Sequence, residues 1–555
     1  TVSHQTNLKL DAIEKPHPQG LESETPLALL CKQLVIESIT ENVLDPQIAD
    51  LAINGYRRST ATLAKMKEYF LRYDCDFHNI EKDHHYYYGL KTILDKFRPS
   101  YLIRPVHFAD LRYYPWNLST SAERPFTDPK GRTKQAIHDA YKAGLIDNAR
   151  LSFHNAYNWI FSYSRTYIHN IKHGIQVPLP HMTMHVKPAL VTVASGVDKV
   201  RSVFGVPKPW IFAEAMFLWP LFNHYHTYGN TPLLWGYETL NGGWFKLNTE
   251  FKEFKHKYQM LLSLDWKEFD IHTFFTVRRD LTAGWRTYFD FNNGYIPTRD
   301  YPSCPTDPEK LEKLWAWLDH AYENTKSVLP TGEVYSRLFA SVPSGLFSTN
   351  FTDSNYNGLA IITILSEMGF EITLKSFIKL MGDDALVALL FFIVPDAREQ
   401  FLQTFAAIAK RRFGMKFSTE KSMLSETIDN IAILSYFNNN GYPYRDGVQL
   451  LAQLLHPKSK KDTPPKLMAR AIGITYADCN NHDYVRRTCH AIYTALQIQG
   501  YTPDVKGLLW LFDPNTDVDI DVSYFPTKLD VTARLMQFYR RSPELQNRYW
   551  NTEHF

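Results

Sequence analysis

Apolar and polar positions along this chain change period several times, and each change marks an element. From about Pro26 to Leu94 apolar residues recur at helical spacing, as in LALLCKQLVIESI and TATLAKMKEYFLRY, which predicts a run of helices. Residues 1 to about 25, polar and proline-containing, predict an extended arm. A loop-rich aromatic stretch follows from Pro99 to Thr127. Tyr258 to Leu264, YQMLLSL, reads as a short buried strand that ends at Asp265. Phe291 to Gly332 reads as an insertion. Within it TDPEKLEKLWAWLDHAYEN predicts a helix, because Thr306 and Glu309 form a capping-box pattern and Leu311, Leu314, Trp315 and Leu318 share one face.

A second helix follows Pro343 to Gly345. Thr349, Asp353 and Asn357 recur on one of its faces, while Leu359, Ile362 and Leu365 point elsewhere. An apolar segment at Phe377 to Met381, the turn Gly382-Asp383-Asp384 and the run ALVALLFFIVP, Ala385 to Pro395, read as strand, acidic turn, strand. A helix from about Ala397 to Phe413, the segment KFSTEKS, an apolar stretch at Ile431 to Phe437 and a turn at NNNGYP come next. His456 to Lys466 reads as a linker to a final helical region, Leu467 to Phe555. Strands and helices alternate without a regular βαβ period, which favours the α+β class over a doubly wound sheet.

Composition narrows the class of molecule. With 44% apolar and 21% charged residues, the 555-residue chain is neither disordered nor a coiled coil. One domain per roughly 150 residues would give three or four packed units. The 61 Lys+Arg and 58 Asp+Glu nearly cancel, which excludes a basic coat that holds nucleic acid by charge alone. Five cysteines without regular spacing are no disulfide framework and fit a reducing compartment. Cys479 and Cys489 lie near His482 and His490 but lack the paired CxxC of a structural zinc site. The N-terminus shows no secretory signal, and the longest apolar run is about half of the roughly 20 residues needed to cross a bilayer.

The chemistry concentrates in SLDWKEFD and LMGDDAL. A carboxylate at the end of a buried strand is costly unless it is paired or binds a cation, and two such ends side by side make a hard-oxygen site suited to Mg²⁺. Two divalent ions held there serve phosphoryl transfer. Gly-Asp-Asp alone is more often a plain hairpin turn. Order changes that reading. DWKEFD, PSGLFSTNFTDSNYN, LMGDDAL, FSTEKS and ILSYFNNNGYP succeed one another and resemble motifs A, B, C, D and E of viral RNA-dependent RNA polymerases. VDKVRSVFGVPK, EAMFLWPLF and PLLWGYETLNGGWF resemble, more narrowly, the polymerases of partitiviruses, whose genomes are segmented double-stranded RNA, with picobirnavirus-like enzymes as near relatives. The similarity runs from about Trp116 to about Asp446.

The resemblance implies a right-handed polymerase fold: an N-terminal extension and arm over 1–70, fingers over 71–257, palm over 258–290, a fingers insertion over 291–334, palm again over 335–455 and thumb over 456–555. It implies that Asp265 and Asp383 are the principal ligands of two Mg²⁺ ions, replaceable by Mn²⁺, with Asp384 a weaker ligand. Asp270 is implied to sense the ribose 2′-hydroxyl, the group that tells RNA from DNA; a carboxylate favoured at a helix N-terminus is the other reading. Ser344 and Gly345 resemble the loop that follows template and nucleotide, Gly345 supplying a backbone conformation that other residues resist. Thr349 matches the family threonine. The next position, commonly asparagine, is Asp353, with Asn357 one turn later. Of Asp353 and Asn357, Asn357 together with Ser344 is the favoured reader of the ribose; the other reading is that Thr349, Asp353 and Asn357 form a solvated stripe.

Lys199 and Arg201 resemble the cations that bind the nucleotide triphosphate, with Lys208 in the same channel; the planar fork of arginine suits phosphate. Lys421 resembles a general acid for the pyrophosphate leaving group, against a surface pairing with Glu420. Ser119, Thr120 and Ser121 look like the motif on the template path. Implied partners are an RNA template and product duplex, nucleoside triphosphates and a viral capsid protein, with no membrane, inside the virion in the host cytoplasm. The rivals are a reverse transcriptase and a non-catalytic, capsid-associated RNA-binding protein. Reverse transcriptases usually carry an aromatic residue where Asp270 stands and a tyrosine ahead of the paired aspartates, where this chain has Gly382.

Overall fold

The computed structural model describes residues 5–16, 23–229, 231–254, 259–372, 376–510, 519–536 and 547–555. Parts of the expected arm (1–4 and 17–22) and Tyr258 lie outside these residues. The fold is mixed α/β, with several sheets among many helices.

A four-stranded antiparallel sheet lies near the middle, in the order Ile378–Met381, Asp384–Leu389, Met260–Leu264, Met423–Ser425. Its two inner strands, Met260–Leu264 and Asp384–Leu389, are almost wholly apolar because both of their faces are buried. Met260, Leu262, Leu264, Ala385, Val387 and Leu389 enter one hydrophobic core, and the alternate residues Leu261, Leu386 and Ala388 enter a second. Burying one such leucine contributes about 1.5–3 kcal/mol. The run from Ala385 is a strand only as far as Leu389. Leu390, Phe392 and Val394 are exposed, and Pro395 opens the helix Pro395–Phe413.

The helical signals near the N-terminus hold: Pro26–Asn42, Pro46–Asn54, Leu63–Phe70 and His84–Phe97 are helices. The insertion helix runs Pro308–Asn324 and is capped by Asp307, whose side chain accepts from the Glu309 N–H, so Thr306 is not its capping residue. Leu311, Leu314, Trp315 and Leu318 all enter the first core, which packs this segment into the body of the molecule. NNNGYP is a hairpin turn between Tyr436–Asn439 and Tyr442–Tyr444, with Asn440 and Gly441 at positive φ. The expected linker is anchored: Asp462 is buried against Arg470, and a helix already begins at Pro464, capped by Thr463.

Both ends of the chain return to the body. Leu8–Ile13 pairs antiparallel with Glu333–Arg337 at the edge of a five-stranded sheet that ends on Val200–Gly205. The helix Pro26–Asn42 packs among the C-terminal helices, sending Cys31, Val35 and Ile39 into the second core. At the other end the Trp219 indole donates to the Tyr549 carbonyl over 2.8 Å, and His554 is buried against Asp110. No helix among the described residues is long and apolar enough to cross a membrane.

Candidate active site

Asp265 follows the last residue of one central strand, and Asp384 opens its neighbour. Leu264 is registered opposite Ala385, which sets Asp265 and Asp384 face to face one step further on. Gly382 turns the chain between the two strands of the hairpin at φ +60°, a conformation that glycine takes without strain. The turn is held from below. The Gly382 N–H donates to the Ser354 hydroxyl over 2.9 Å, and the Asn357 amide donates to the carbonyls of Gly382 and Asp384 over 3.0 and 3.3 Å. Asn357 also accepts from the Trp266 indole over 2.8 Å, tying the residue after Asp265 to the same turn. On the other side the Asp265 N–H donates to the Ser422 hydroxyl, and its carbonyl accepts from the Ser418 N–H.

Five carboxylates, Asp265, Asp270, Asp353, Asp383 and Asp384, act on one another electrostatically here. None of them forms an ion pair with lysine or arginine among the described residues. Asp383 keeps solvent access at the tip of the turn, yet its carboxyl is pushed up to about 7 by lost hydration and then by the charges of Asp384, Asp270 and Asp265. Lost hydration, then Asp265, pushes Asp384 up to about 6. Asp353 is 6% exposed and leaves one oxygen without a hydrogen-bond partner. Burial and the neighbouring Asp270 charge drive its carboxyl well above the usual range. Their mutual hydrogen bond favours the protonated form of Asp353 and the ionised form of Asp270.

Such an excess of negative charge fits a hard divalent cation, which binds through carboxylate oxygens. Among the described residues, the three ligand-type groups whose atoms all lie within 4.8 Å of one another are elsewhere, at Asp83, His84 and His85. Asp83 is committed there, capping the helix His84–Phe97 and pairing with Arg412. The aspartates around Gly382 are spread more widely than that.

The loop Pro343–Gly345 leads into the helix Thr349–Glu367. The Ser344 hydroxyl accepts from the Phe204 N–H, and the Thr349 hydroxyl donates to the Pro343 carbonyl. Gly345 is small for a reason other than the expected one. Its φ is not positive, but a Cβ there would stand 2.1 Å from the Phe204 carbonyl oxygen. Asp353 and Asn357 are buried, so the face that begins at Thr349 is not a solvated stripe. Every polar atom of Asn357 is bonded within the protein. Glu214, also buried, accepts from the hydroxyl of Ser348, the residue just ahead of that helix, and its other oxygen has no hydrogen-bond partner among the described residues. Burial pushes its carboxyl up to about 7.

Lys199 and Arg201 are exposed and, among the described residues, in no ion pair; the strand that Lys199 precedes and Arg201 belongs to is the one whose Phe204 meets Ser344. Arg201 lies opposite Lys187 and near Arg58, so cations gather there. Lys208 is buried, pushed down to about 8 by burial, and donates to the Thr120 hydroxyl over 3.4 Å. This joins the expected channel lysine to the expected template-path loop. Ser119 bonds Asn117, and Ser121 accepts from the Glu123 N–H, which shapes that loop. Lys421 is exposed and has no pairing with Glu420. Glu214, Ser354, Ser418 and Ser422 were not singled out from the sequence. A lone acid within WIFAEAMFLWPLF was the available signal for Glu214, since buried acids are rare without a task.

Fold and site together define a large mixed α/β protein whose central sheet carries an acidic, cation-demanding centre. The chain is similar to the RNA-directed RNA polymerase of White clover cryptic virus 1, 31% identical across 96% of this chain and 94% of that protein. It is also similar to the RNA-directed RNA polymerase of Atkinsonella hypoxylon virus, 25% identical across 78% of this chain and 72% of that protein. No family model matches the chain. The chain belongs to the viral RNA-directed RNA polymerases, on the partitivirus-like branch that its motifs resemble.

Proposed function

We propose that the chain copies an RNA template by a two-metal mechanism, in which a ribonucleotide's α-phosphate is attacked by the 3′-hydroxyl of the growing strand and pyrophosphate leaves. The observation that carries this reading is the group of five aspartates around Gly382 with no lysine or arginine partner among the described residues, in a chain of this family. Asp265, Asp383 and Asp384 would hold two Mg²⁺ ions, or Mn²⁺ in their place. When bound, these ions supply Lewis-acid charge stabilisation and orientation for an in-line displacement.

The rest falls to the chain's own groups. Lys199 and Arg201, exposed and free of ion pairs among the described residues, meet the triphosphate, and Lys208 steadies the loop with Ser119, Thr120 and Ser121 along which the template runs. Lys421 gives a proton to the departing pyrophosphate. Ser344, Gly345 and Thr349 form the moving wall of the nucleotide pocket. Asp270, held by the proton of Asp353, accepts the ribose 2′-hydroxyl. Asn357 braces the acidic turn and leaves ribose reading to the Asp270–Asp353 pair.

In this reading the sheet of Asp265 and Asp384 is the palm, residues 71–257 with the 291–334 helix are fingers, and the helices after 456 are the thumb, with 547–555 returning to the fingers. Template, product duplex and nucleoside triphosphates are the partners; a capsid protein would hold the enzyme inside the virion, in the host cytoplasm, for transcription and replication of a double-stranded RNA genome. The test is templated extension with Mg²⁺, comparing the parent chain with Asp383→Asn. Incorporation of ribonucleotides that is lost in the variant supports the reading. Full turnover in the variant sinks it, and preference for deoxyribonucleotides would favour a reverse transcriptase.

A further inference from the structure

The strand Leu8–Ile13 is preceded by a residue whose contacts exceed what a sheet edge needs. Asn7 is fully buried. Its side-chain oxygen accepts from the N–H groups of Leu338, Phe339 and Ala340 over 3.2, 2.9 and 2.9 Å. Its amide nitrogen donates to the carbonyls of Tyr73 and Ala340 over 2.9 and 3.0 Å. Its backbone adds two more bonds, to the Cys75 carbonyl and from the Leu338 N–H. An asparagine side chain has two donor hydrogens and one acceptor oxygen, so this one is saturated.

The segment it grips leads straight to the nucleotide pocket. The Phe339 carbonyl accepts from the Phe275 N–H, the Ser341 N–H donates to the Thr273 carbonyl, and the Val342 N–H donates to the Asp270 carbonyl over 3.1 Å. Ser341 is held at φ +92°, a strained conformation for serine, with its carbonyl gripped by Arg337 and Tyr322. Pro343, Ser344 and Gly345 follow at once. Tyr73, whose carbonyl Asn7 also holds, lies within electrostatic reach of Asp270 and Asp353.

We propose that Asn7 is a positioning residue for ribonucleotide selection: it fixes Leu338–Ala340 and Tyr73, and through them the placement of Asp270 and the start of the Ser344–Gly345 loop. The inference rests on the polymerase reading above. Without the Asn7 side chain, the N–H groups of Phe339 and Ala340 and the carbonyls of Tyr73 and Ala340 lose that partner, while the Leu338 N–H keeps the Asn7 carbonyl, and the segment must shift to find others. A displacement of about 1 Å in such a pocket costs up to about a hundredfold in rate.

The experiment uses the full chain in templated extension, with kcat and KM measured for ribonucleotides and for deoxyribonucleotides. Asn7→Ala is expected to raise the ribonucleotide KM and to reduce the preference over deoxyribonucleotides, each by about tenfold. Asp11→Asn loosens the same strand at its contacts with Ser336 and Lys326, away from Leu338–Ala340, and is expected to keep the parent preference. If Asn7→Ala does not fold, Asn7→Ser decides; its hydroxyl can keep one donor and one acceptor bond, and about a threefold loss of preference is expected. An unchanged preference in the folded Asn7 variant, or an equal loss in Asp11→Asn, overturns the inference. An inactive parent chain would instead overturn the polymerase reading.

Discussion

Two regions bury charge in opposite ways. In the C-terminal helices Arg470 and Asp462 are almost wholly buried, joined by two parallel bonds of 3.0 and 2.8 Å, and Arg470 also donates to the Leu454 carbonyl. Each of these two buried charges has the other as its partner. Around Gly382, carboxylates crowd together with only one another for company, and their affinity for protons rises toward neutrality. The first arrangement fixes a helix pair in place. The second is destabilising until something cationic arrives, and a fold that tolerates it marks where it acts.

The comparison breaks most decisively at Asp383. Asp383→Asn is expected to lower nucleotide incorporation by at least about a thousandfold, or about 4 kcal/mol of barrier, without lowering the melting temperature. Arg470→Ala is the counterpart. It is expected to lose about 3–5 kcal/mol of stability, read by denaturant unfolding, because a buried aspartate is left alone. Asp353→Asn comes next. An amide can donate to Asp270 as the protonated acid does, so activity within about threefold of the parent is expected, whereas Asp353→Ala should lose preference for ribonucleotides.

The smallest effect concerns pH. The folded-state carboxyls of Asp383 and Asp384 lie above the ordinary value of 3.8, at about 7 and about 6, so the folded protein binds protons more tightly than the unfolded chain between about pH 4 and 7. Stability from these groups is therefore present at low pH and lost as pH rises through 6 and 7. Metal-free protein should melt slightly lower at pH 8 than at pH 6 in this respect, and Asp383→Asn should flatten the difference. Scanning calorimetry in a chelator, and again with Mg²⁺, reads both.

Much of the site was legible because it is local. Strand, acidic turn and strand occupy neighbouring positions, and glycine followed by two aspartates has few other uses between apolar runs. The helix after Ser344 was equally plain, but its polar face was not: whether Asp353 and Asn357 meet water depends on Trp266 and Asp270, which fold in from a distant segment. Gly345 shows the same limit, since the atom that forbids a side chain belongs to Phe204. Asn7 had no local signal at all. Its partners stand more than sixty positions away at Tyr73 and Cys75 and more than three hundred away at Leu338–Ala340, and nothing in TNLKL distinguishes it from a solvent-facing residue beside an edge strand.

The return of residues 547–555 also has a cost in time. Trp219 and Tyr549, which bond in the finished molecule, are separated by 330 positions. At about 5–20 residues per second, a ribosome needs roughly 15–65 s to deliver the second after the first. Through that interval Trp219, Tyr114 and their aromatic neighbours lack the Trp550 and Phe555 rings that later pack on Trp219. Until Trp550 and Phe555 emerge, the nascent chain therefore presents a sticky aromatic face that those distant residues later cover.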